Sequence, residues 1–293
     1  MILVTGNLEL ERVFRCERLP EPCSCACSSV APQIGGSGGS LALAICRAGC
    51  EVALAAAVGD DSDARLLRGL ASETGLKMVL SVYRDAPTGS SAVFLDDAGR
   101  YFRSEAMAAN ALFEVGEDVG RLMDGVGLLL CASDGNARST EALMRLARSR
   151  RVGVALFVSG TDVGPSLKIL APLADLLILS DNDFSEIVRG ADLSGMGDFT
   201  GEQLHLLPDA KLNALCRVSI SGDAAILLGA RGVFVSRRDG SHKLVGGEGV
   251  TIGRGARRLV TETFAGRLCA EIFRGADLLS AVRASVSSLK PVQ

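Results

Sequence analysis

The chain has 293 residues, of which 48% are apolar and 4% aromatic, with no tryptophan. This length suits one large α/β unit or two domains, with a core of aliphatic side chains. The net charge is −3 and the basic residues are scattered, so a nucleic-acid surface is not expected. The longest apolar runs are far shorter than the ~20 residues that a membrane span needs. Residues 1–5 lack the basic start of a signal peptide and predict a buried strand, so we expect a soluble, cytoplasmic protein.

The first third of the chain contains short alternating stretches with turn residues, at 8–34 and 86–106. Within the second stretch, AVFLDDAGRYF predicts a hairpin that turns at Asp96–Gly99. We expect these strands to form a small β-sheet lid beside a larger sheet. In CSCAC, period two places Cys23, Cys25 and Cys27 on one face of a strand. A soft-metal site would need four converging ligands, and no CxxC pair or neighbouring histidine supplies them, so no metal site is expected.

A glycine-rich segment, GGSGGS at 35–40, runs straight into the apolar LALAICRAG, which predicts a helix, and then into a strand ending in VGDD. Backbone N–H groups at the start of such a helix can contact a ligand closely. The alternative is an ordinary turn between a strand and a helix. The segment is not a P-loop, because GxxxxGK[ST] is missing.

From about residue 127, short apolar runs alternate with stretches of helical spacing. The runs predict strands at 127–133, 152–159 and 175–180. The stretches predict helices at 139–151, 165–174 and 181–190, with Ser139 as a cap and Pro165 in a first turn. Such alternation favours a parallel sheet covered by helices on both faces.

Near the end of the chain, TETFAGRLCAEIF (261–273) predicts a turn that runs into a helix. Thr261 or Thr263 would cap the helix, and Phe264, Ala265 and Gly266 would present backbone N–H groups to an anion. The alternative is an ordinary capped helix without a ligand.

In order and spacing, these motifs resemble the ribokinase-type (PfkB) carbohydrate kinase family over nearly the whole chain. The resemblance implies a three-layer α/β/α fold with a mostly parallel central sheet, as a single domain over residues 1–293 with lid strands at about 8–34 and 86–106. It also implies ATP-dependent phosphorylation of a sugar or nucleoside hydroxyl with Mg-ATP, and a homodimer formed through the lid.

The resemblance assigns roles residue by residue. Substrate positions, from the G-x-x-x-x-D, GGKGAN and GAN motifs, correspond to Glu11, Gly36, Ser37, Gly38, Ser40 and Asn110. Nucleotide positions, from the N-x-x-E and T-x-G-x-x-G motifs, correspond to Ser180, Asp183, Leu227, Gly229 and Gly232. In the D-T-x-G-A-G-D signature, the anion hole corresponds to Phe264, Ala265 and Gly266, and the catalytic base to Arg267.

Several of these positions depart from the family pattern, and Arg267 departs most. A guanidinium is a permanent cation without an acceptor, so it cannot act as a general base. Losing a base typically costs about 10²–10⁴ in rate. We therefore predict a catalytically impaired homologue that keeps the fold for ligand binding, regulation or assembly. The alternative is an active kinase that uses another acid or base, such as Asp183, Glu262 or Glu11, or a different substrate such as a sugar phosphate.

Overall fold

The computed structural model describes residues 1–20, 26–158, 164–190, 200–246 and 257–289. These residues form the following strands: β1 Ile2–Thr5, β2 Glu9–Cys16, β3 Cys27–Gly35, β4 Val52–Gly59, β5 Lys77–Tyr83, β6 Gly89–Asp96, β7 Tyr101–Ala106, β8 Leu128–Ala132, β9 Gly153–Phe157, β10 Leu176–Ser180, β11 Asp223–Leu227, β12 Val233–Ser236 and β13 His242–Val245. They form the following α-helices: α1 Ser37–Arg47, α2 Ser62–Thr74, α3 Glu117–Leu122, α4 Ala137–Ser149, α5 Gly164–Leu170, α6 Asp181–Gly190, α7 Gly201–Leu204, α8 Asp209–Ser219, α9 Arg257–Phe273 and α10 Leu278–Ser287.

The large sheet has the strand order β13-β12-β11-β10-β9-β8-β1-β4-β5. Its strands pair in parallel from β5 to β11, and β12 and β13 add two antiparallel strands at one edge. Because the carboxyl ends of parallel strands meet at one edge, the segments after β1, β4, β8, β10 and β11 lie along the same side of the molecule. Several of the sequence motifs fall in these segments.

Alternate side chains of the large sheet enter two separate hydrophobic cores. Ile2 and Val4 pack with residues of α1, α2, α9 and α10, whereas Leu3 between them packs with residues of α3, α4, α6 and α8. The sheet is therefore covered by helices on both faces, as the sequence predicts.

The small sheet has the order β3-β2-β6-β7. β6 and β7 form the predicted hairpin, with Leu95 opposite Tyr101. Leu10 and Ile34, near the base of this sheet, belong to the same core cluster as Leu41 of α1, so the small sheet is anchored to the larger body.

The structure differs from the sequence prediction at the cap of α4, and it describes only part of the CSCAC segment. The cap of α4 is Asn136, whose side chain accepts from the backbone N–H of Ser139, so Ser139 is not the cap. Of the CSCAC cysteines, Cys23 and Cys25 fall outside the described residues, and Cys27 opens β3 with its Sγ 3.0 Å from Sγ of Cys16. The described residues contain no group of three or more His, Cys, Asp or Glu side chains that could hold a metal ion.

The predicted turn and helix start at 261–264 is wrong. α9 runs without a break from Arg257 to Phe273, so TETFAGR is part of the helix interior. The threonines resemble caps locally, but Phe264, Ala265 and Leu268 are buried in the core between the helix and the sheet. Packing of such a face decides helix formation more strongly than local capping preference.

Candidate functional site

The glycine-rich segment 35–40 packs directly on the chain that follows β1, at the carboxyl edge of the large sheet. Gly36, which precedes α1, has φ +78°. A Cβ on Gly38 would lie 2.7 Å from the carbonyl carbon of Gly6, and the N–H of Gly39 donates to Asn7 O at 3.2 Å. Glycine is needed at these positions because two backbone segments approach each other closely. The sequence suggested another cause, namely the close approach of a ligand.

Ser37 and Asp134 link this segment to the end of β8. Ser37 Oγ donates to Asp134 Oδ1. Asn7 Nδ2 donates to the backbone oxygen of Asp134 at 3.1 Å, while Asn7 Oδ1 is buried and accepts no hydrogen bond within the described residues. Ser40, one turn into α1, is half-buried. The predicted position Ser37 thus lies beside a carboxylate that the motifs did not identify.

A charged cluster lies on one face of the small sheet, around Arg103. Arg103 Nη2 is 2.6 Å from Glu9 Oε2 and 3.3 Å from Glu105 Oε2, and Arg103 Nε is 3.8 Å from Glu11 Oε2. Gln33 donates to Glu11 Oε1 at 2.7 Å. The predicted position Glu11 is therefore one of three carboxylates that share one guanidinium.

Glu9 is a buried member of this cluster that the sequence motifs missed. Its side chain is fully buried, and Oε1 has no hydrogen-bond partner within the described residues. Burial raises its pKa, and the charge of Arg103 opposes that rise. Glu9 and Glu11 share a face because they are two residues apart in β2, so strand periodicity could have paired them.

Asn110 is occupied by the backbone of Leu8. Its Oδ1 accepts from Leu8 N at 2.9 Å and its Nδ2 donates to Leu8 O at 3.0 Å. The side chain is 2% exposed. Asn110 therefore fastens the segment before β2 to the 3₁₀ turn Ala108–Leu112, and its predicted contact with a substrate stays a prediction.

The VGDD segment and the residues PTG at 87–89 meet through Asp61 and Thr88. Asp61 caps α2 by accepting from Ala64 N at 2.9 Å, and it accepts from Thr88 N and Thr88 Oγ1, both at 2.7 Å. Partial burial raises the pKa of Asp61, but the hydrogen bonds from Thr88 and Ala64 outweigh burial and leave the pKa below its usual value. These motifs thus hold the start of β6 against the end of β4.

Ser180 and Asp183 form a reciprocal capping pair at the start of α6. Ser180 N donates to Asp183 Oδ2 at 3.0 Å, and Asp183 N donates to Ser180 Oγ at 3.2 Å. The hydroxyl of Ser180 also donates to the same carboxylate oxygen at 2.6 Å. Burial raises the pKa of Asp183 to about 6, although the bonds from Ser180 lower it. The pair has a structural use that is independent of any nucleotide.

The predicted nucleotide loop lies between β11 and β12. Leu227 is 2% exposed and points into the core. Gly229 and Gly232 have φ of +52° and +97°, and Gly232 N donates to Gly229 O at 3.0 Å. The backbone conformation of this tight turn favours glycine at both positions.

Beside this loop is a His–Asp pair that the sequence did not predict. His205 Nε2 is 2.5 Å from Asp181 Oδ2, and a Cβ on Gly229 would lie 3.2 Å from the ring of His205. Arg231 donates to His205 O at 2.7 Å. His205 and Asp181 are 24 residues apart without a flanking motif, so no local pattern could have linked them.

At the signature segment, the backbone and Arg267 are both engaged within the protein. In an α-helix each interior N–H donates to the carbonyl four residues earlier, so the N–H groups of Phe264, Ala265 and Gly266 are committed inside α9. Phe264 is fully buried. Arg267 Nη1 donates to the carbonyl of Ser288, just after α10, at 3.2 Å, where a cation is favourable.

A family model described as pfkB family carbohydrate kinase matches residues 1–252. The chain belongs to this family. A comparison with curated proteins finds no match.

Solved structures of PfkB-type kinases have the same fold. A ribokinase from Cryptococcus neoformans var. grubii serotype A, in complex with ADP, is 18% identical, with a TM-score of 0.76 over 97% of this chain and 90% of that chain. An adenosine kinase from Anopheles gambiae is 14% identical, with a TM-score of 0.77 over 98% and 93% of the two chains. The Arabidopsis thaliana ribokinase complexed with ribose and ATP is 16% identical, with a TM-score of 0.75 over 98% and 91%. The predicted ribokinase-like architecture is confirmed, with a large mostly parallel sheet and a small separate sheet.

The PfkB family implies Mg-ATP, and the positions assigned to it fit that group poorly in this chain. The N–H groups of Phe264, Ala265 and Gly266 donate inside α9. Leu227 is buried, and the carboxylate of Asp183 accepts a hydrogen bond from Ser180. Within the described residues, Arg267 makes no ion pair with Glu262 or Asp183, and its guanidinium donates to the carbonyl of Ser288. None of the described helices is both long enough and apolar enough to span a membrane.

Proposed function

We propose that this PfkB homologue binds a small polyhydroxyl ligand, a sugar or a nucleoside, and is catalytically impaired as a kinase. The observation that carries the proposal is the unbroken α9. It occupies the N–H groups of the signature segment and holds Arg267 on the carbonyl of Ser288.

The expected loss has two parts. Replacement of a general base by a permanent cation removes about 10²–10⁴ in rate. Loss of one backbone donor to a developing negative charge typically costs about 10²–10³ more. With both absent, Mg-ATP turnover is expected near the uncatalysed level.

The polar groups at the carboxyl edge support a ligand rich in hydroxyls. Carboxylates of Glu9, Glu11 and Asp134 are acceptors for hydroxyl donors, and Arg103 supplies a donor beside Glu9 and Glu11. The excess of carboxylates disfavours a phosphorylated sugar, because like charges at short range repel.

The test combines binding with turnover on the full chain. Thermal unfolding is measured with sugars, nucleosides, ADP and Mg-ATP, and ATP consumption is followed in a coupled assay. We expect a sugar or nucleoside to raise the melting temperature with increasing concentration, since a ligand that binds only the folded state stabilises it. ATP consumption at rates usual for this family would overturn the proposal.

A variant pair tests the helix argument directly. Arg267→Asp supplies the missing carboxylate, but the N–H groups stay inside α9, so we expect ATP turnover to remain at the background level. Arg274→Asp, near the end of the same helix, controls for the charge change. A gain of turnover in Arg267→Asp alone would mean that only the base had been lost.

The second candidate is an active kinase that uses Asp134 as its acid or base. The contact of Asp134 with Ser37 at the carboxyl edge favours this reading over Asp183, whose carboxylate is tied to Ser180. If the wild type consumes ATP, Asp134→Asn should lower turnover about 100-fold or more while ligand binding persists. Asp124→Asn, at an exposed and distant site, is the matched control.

For assembly, we propose a homodimer through the apolar face of the small sheet, with residues 1–293 acting as a single domain. Val30, Phe14, Phe94 and Phe102 form a row across all four strands, and the rings of Phe14 and Phe94 stack at 4.9 Å. Val30 and Phe102 are 56% and 55% exposed, which is unusual for large apolar side chains in a connected row.

A further inference from the structure

A cavity lies at the amino edge of the large sheet, opposite the carboxyl edge that carries the glycine-rich segment. Its volume is about 280 Å³. It is bordered by the first residues of four neighbouring parallel strands, Leu128, Gly153, Leu176 and Asp223. The carboxyl edge and this amino edge are separated by the length of the strands, so a ligand here would not touch the glycine-rich segment.

The inner wall of the cavity is apolar. Cys269 and Ile272 of α9 face it, together with Leu278 at the start of α10. Val154 and Ala155 of β9 complete the floor. Pockets of this kind, with an apolar lining and few polar groups, take small molecules with a hydrocarbon body, and about 300–1,000 Å³ is usual for drug-sized ligands. The volume here suits a smaller molecule.

The two carboxylates at the rim are already satisfied. Asp175 accepts from Val154 N at 3.0 Å and is 3.5 Å from Arg148 Nη1. Asp223 accepts from the backbone N–H of Arg238 at 2.8 Å. The guanidinium of Arg238 lies 3.7 Å from Asp175 and 4.0 Å from Asp223, so its charge is shared between them.

Arg237 is the rim cation without such a partner. It lines the cavity and is half-buried, and its guanidinium makes no hydrogen bond or ion pair with the described residues. Asp277 and Asp239 are near enough to feel its charge. The pKa of each is lowered mainly by hydrogen bonds, from Ser280 and Ser241 respectively, and only to a lesser degree by Arg237. Among the described residues, the guanidinium of Arg237 therefore has no direct partner, and it lies at the rim above an apolar wall.

We propose that this cavity binds a small aliphatic carboxylate. Its hydrocarbon chain would lie against Cys269 and Ile272, and its carboxylate would accept hydrogen bonds from the guanidinium of Arg237. Arginine suits this role because its planar fork donates two parallel hydrogen bonds to a carboxylate. The site is independent of the proposed sugar or nucleoside site, so either can fail without the other.

The test uses isothermal titration calorimetry on the full chain with three probes of equal chain length, namely hexanoate, 1-hexanol and hexylamine. We expect hexanoate to bind at least tenfold more tightly than 1-hexanol, and hexylamine to bind most weakly. Absence of hexanoate binding at millimolar concentration, or equal affinity for all three probes, would overturn the proposal.

The variant Arg237→Gln tests whether the carboxylate of hexanoate binds at the rim of the cavity. We expect it to weaken hexanoate at least tenfold and to leave 1-hexanol within twofold, which a general loss of stability would not do. Arg150→Gln, which removes a cation that pairs with Asp124, is the matched control and should bind as the wild type does. Unchanged hexanoate affinity in Arg237→Gln would mean that the carboxylate binds elsewhere. If Arg237→Gln does not fold, the comparison of the three probes on the wild type still tests the proposal.

Discussion

Carboxylates at the carboxyl edge are mostly held by hydrogen bonds from their own neighbourhood. Asp61 is fixed by Ala64 and Thr88, and Asp183 by Ser180. The environments push their pKa values in opposite directions, because hydrogen bonds dominate at Asp61 and burial dominates at Asp183. These hydrogen-bonded carboxylates fix the local backbone geometry. A ligand would therefore bind through polar groups that such hydrogen bonds do not occupy.

Asp183 makes folding stability depend on pH. Its pKa is about 6 in the folded chain, above the 3.8 usual for an aspartate, so the folded state binds the proton more tightly than the unfolded state. The stabilisation from this group is fully present below the unfolded pKa and is lost as pH rises through about 6. Two pKa units correspond to about 3 kcal/mol at most.

The substitution Asp183→Asn removes this proton while keeping an oxygen that can accept from Ser180. We expect the free energy of unfolding of the wild type, minus that of the variant, to fall by about 2–3 kcal/mol between pH 4 and pH 7. Denaturant titrations at several pH values measure it. Asp118→Asn, at an exposed carboxylate paired with Arg121, is the matched control. A flat difference for Asp183→Asn would show that its carboxyl titrates normally.

At the scale of single residues, motif order assigns positions in the sequence but does not predict which residues contact each other. Glu11 and Ser37 were placed by motif order, yet their partners Arg103 and Asp134 are brought to them by the fold. Arg103 and Glu9 are 94 residues apart, and nothing local encodes that pairing. Motifs report the order of elements, whereas a buried charge pair depends on strand register across the sheet.

At the scale of elements, α9 is where prediction failed and where the functional argument rests. The strands and helices from 127 to 190 were predicted because apolar periodicity is strong and local there. α9 was misjudged because Thr261 and Thr263 resemble caps, whereas burial of Phe264 and Leu268 continues the helix through them. Gly266 then serves helix packing and does not end a turn.

The close contact of α9 with α1 depends on Gly266. A Cβ at this position would lie 2.6 Å from Ala44 Cβ and 2.9 Å from Leu41 O. We expect Gly266→Ala to lower the free energy of unfolding by about 1–3 kcal/mol, because overpacking forces the helices apart. Equilibrium urea unfolding measures the change.

Gly69 provides the matched control within α2. A Cβ there meets nothing within 4 Å. Gly69→Ala should raise the free energy of unfolding by about 0.5–1 kcal/mol, since alanine favours an exposed helix interior. Changes of opposite sign in the free energy of unfolding would confirm that steric contact, and not helix propensity, determines the effect of Gly266→Ala. A gain in both would mean that α9 and α1 are less tightly packed than described.

For the whole molecule, the family resemblance predicted a large, mostly parallel sheet covered by helices and a small separate sheet, because this arrangement depends on element order. The two hydrophobic cores on either face of the sheet follow from alternation along β1 and β8. Neither the amino-edge cavity nor the His205–Asp181 pair could be predicted, since each depends on elements that are distant along the chain.

The apolar row on the small sheet makes assembly a property of the whole molecule. We expect the wild type to be a dimer at micromolar concentration, and Phe102→Asp to be a monomer, because a charge buried in the interface would be left unpaired. Light scattering coupled to gel filtration measures the mass. Leu206→Asp, at a side chain that is 83% exposed and lies outside the small sheet, should leave the dimer intact. A wild-type monomer at tens of micromolar, or a Phe102→Asp dimer, would show that this face serves another purpose.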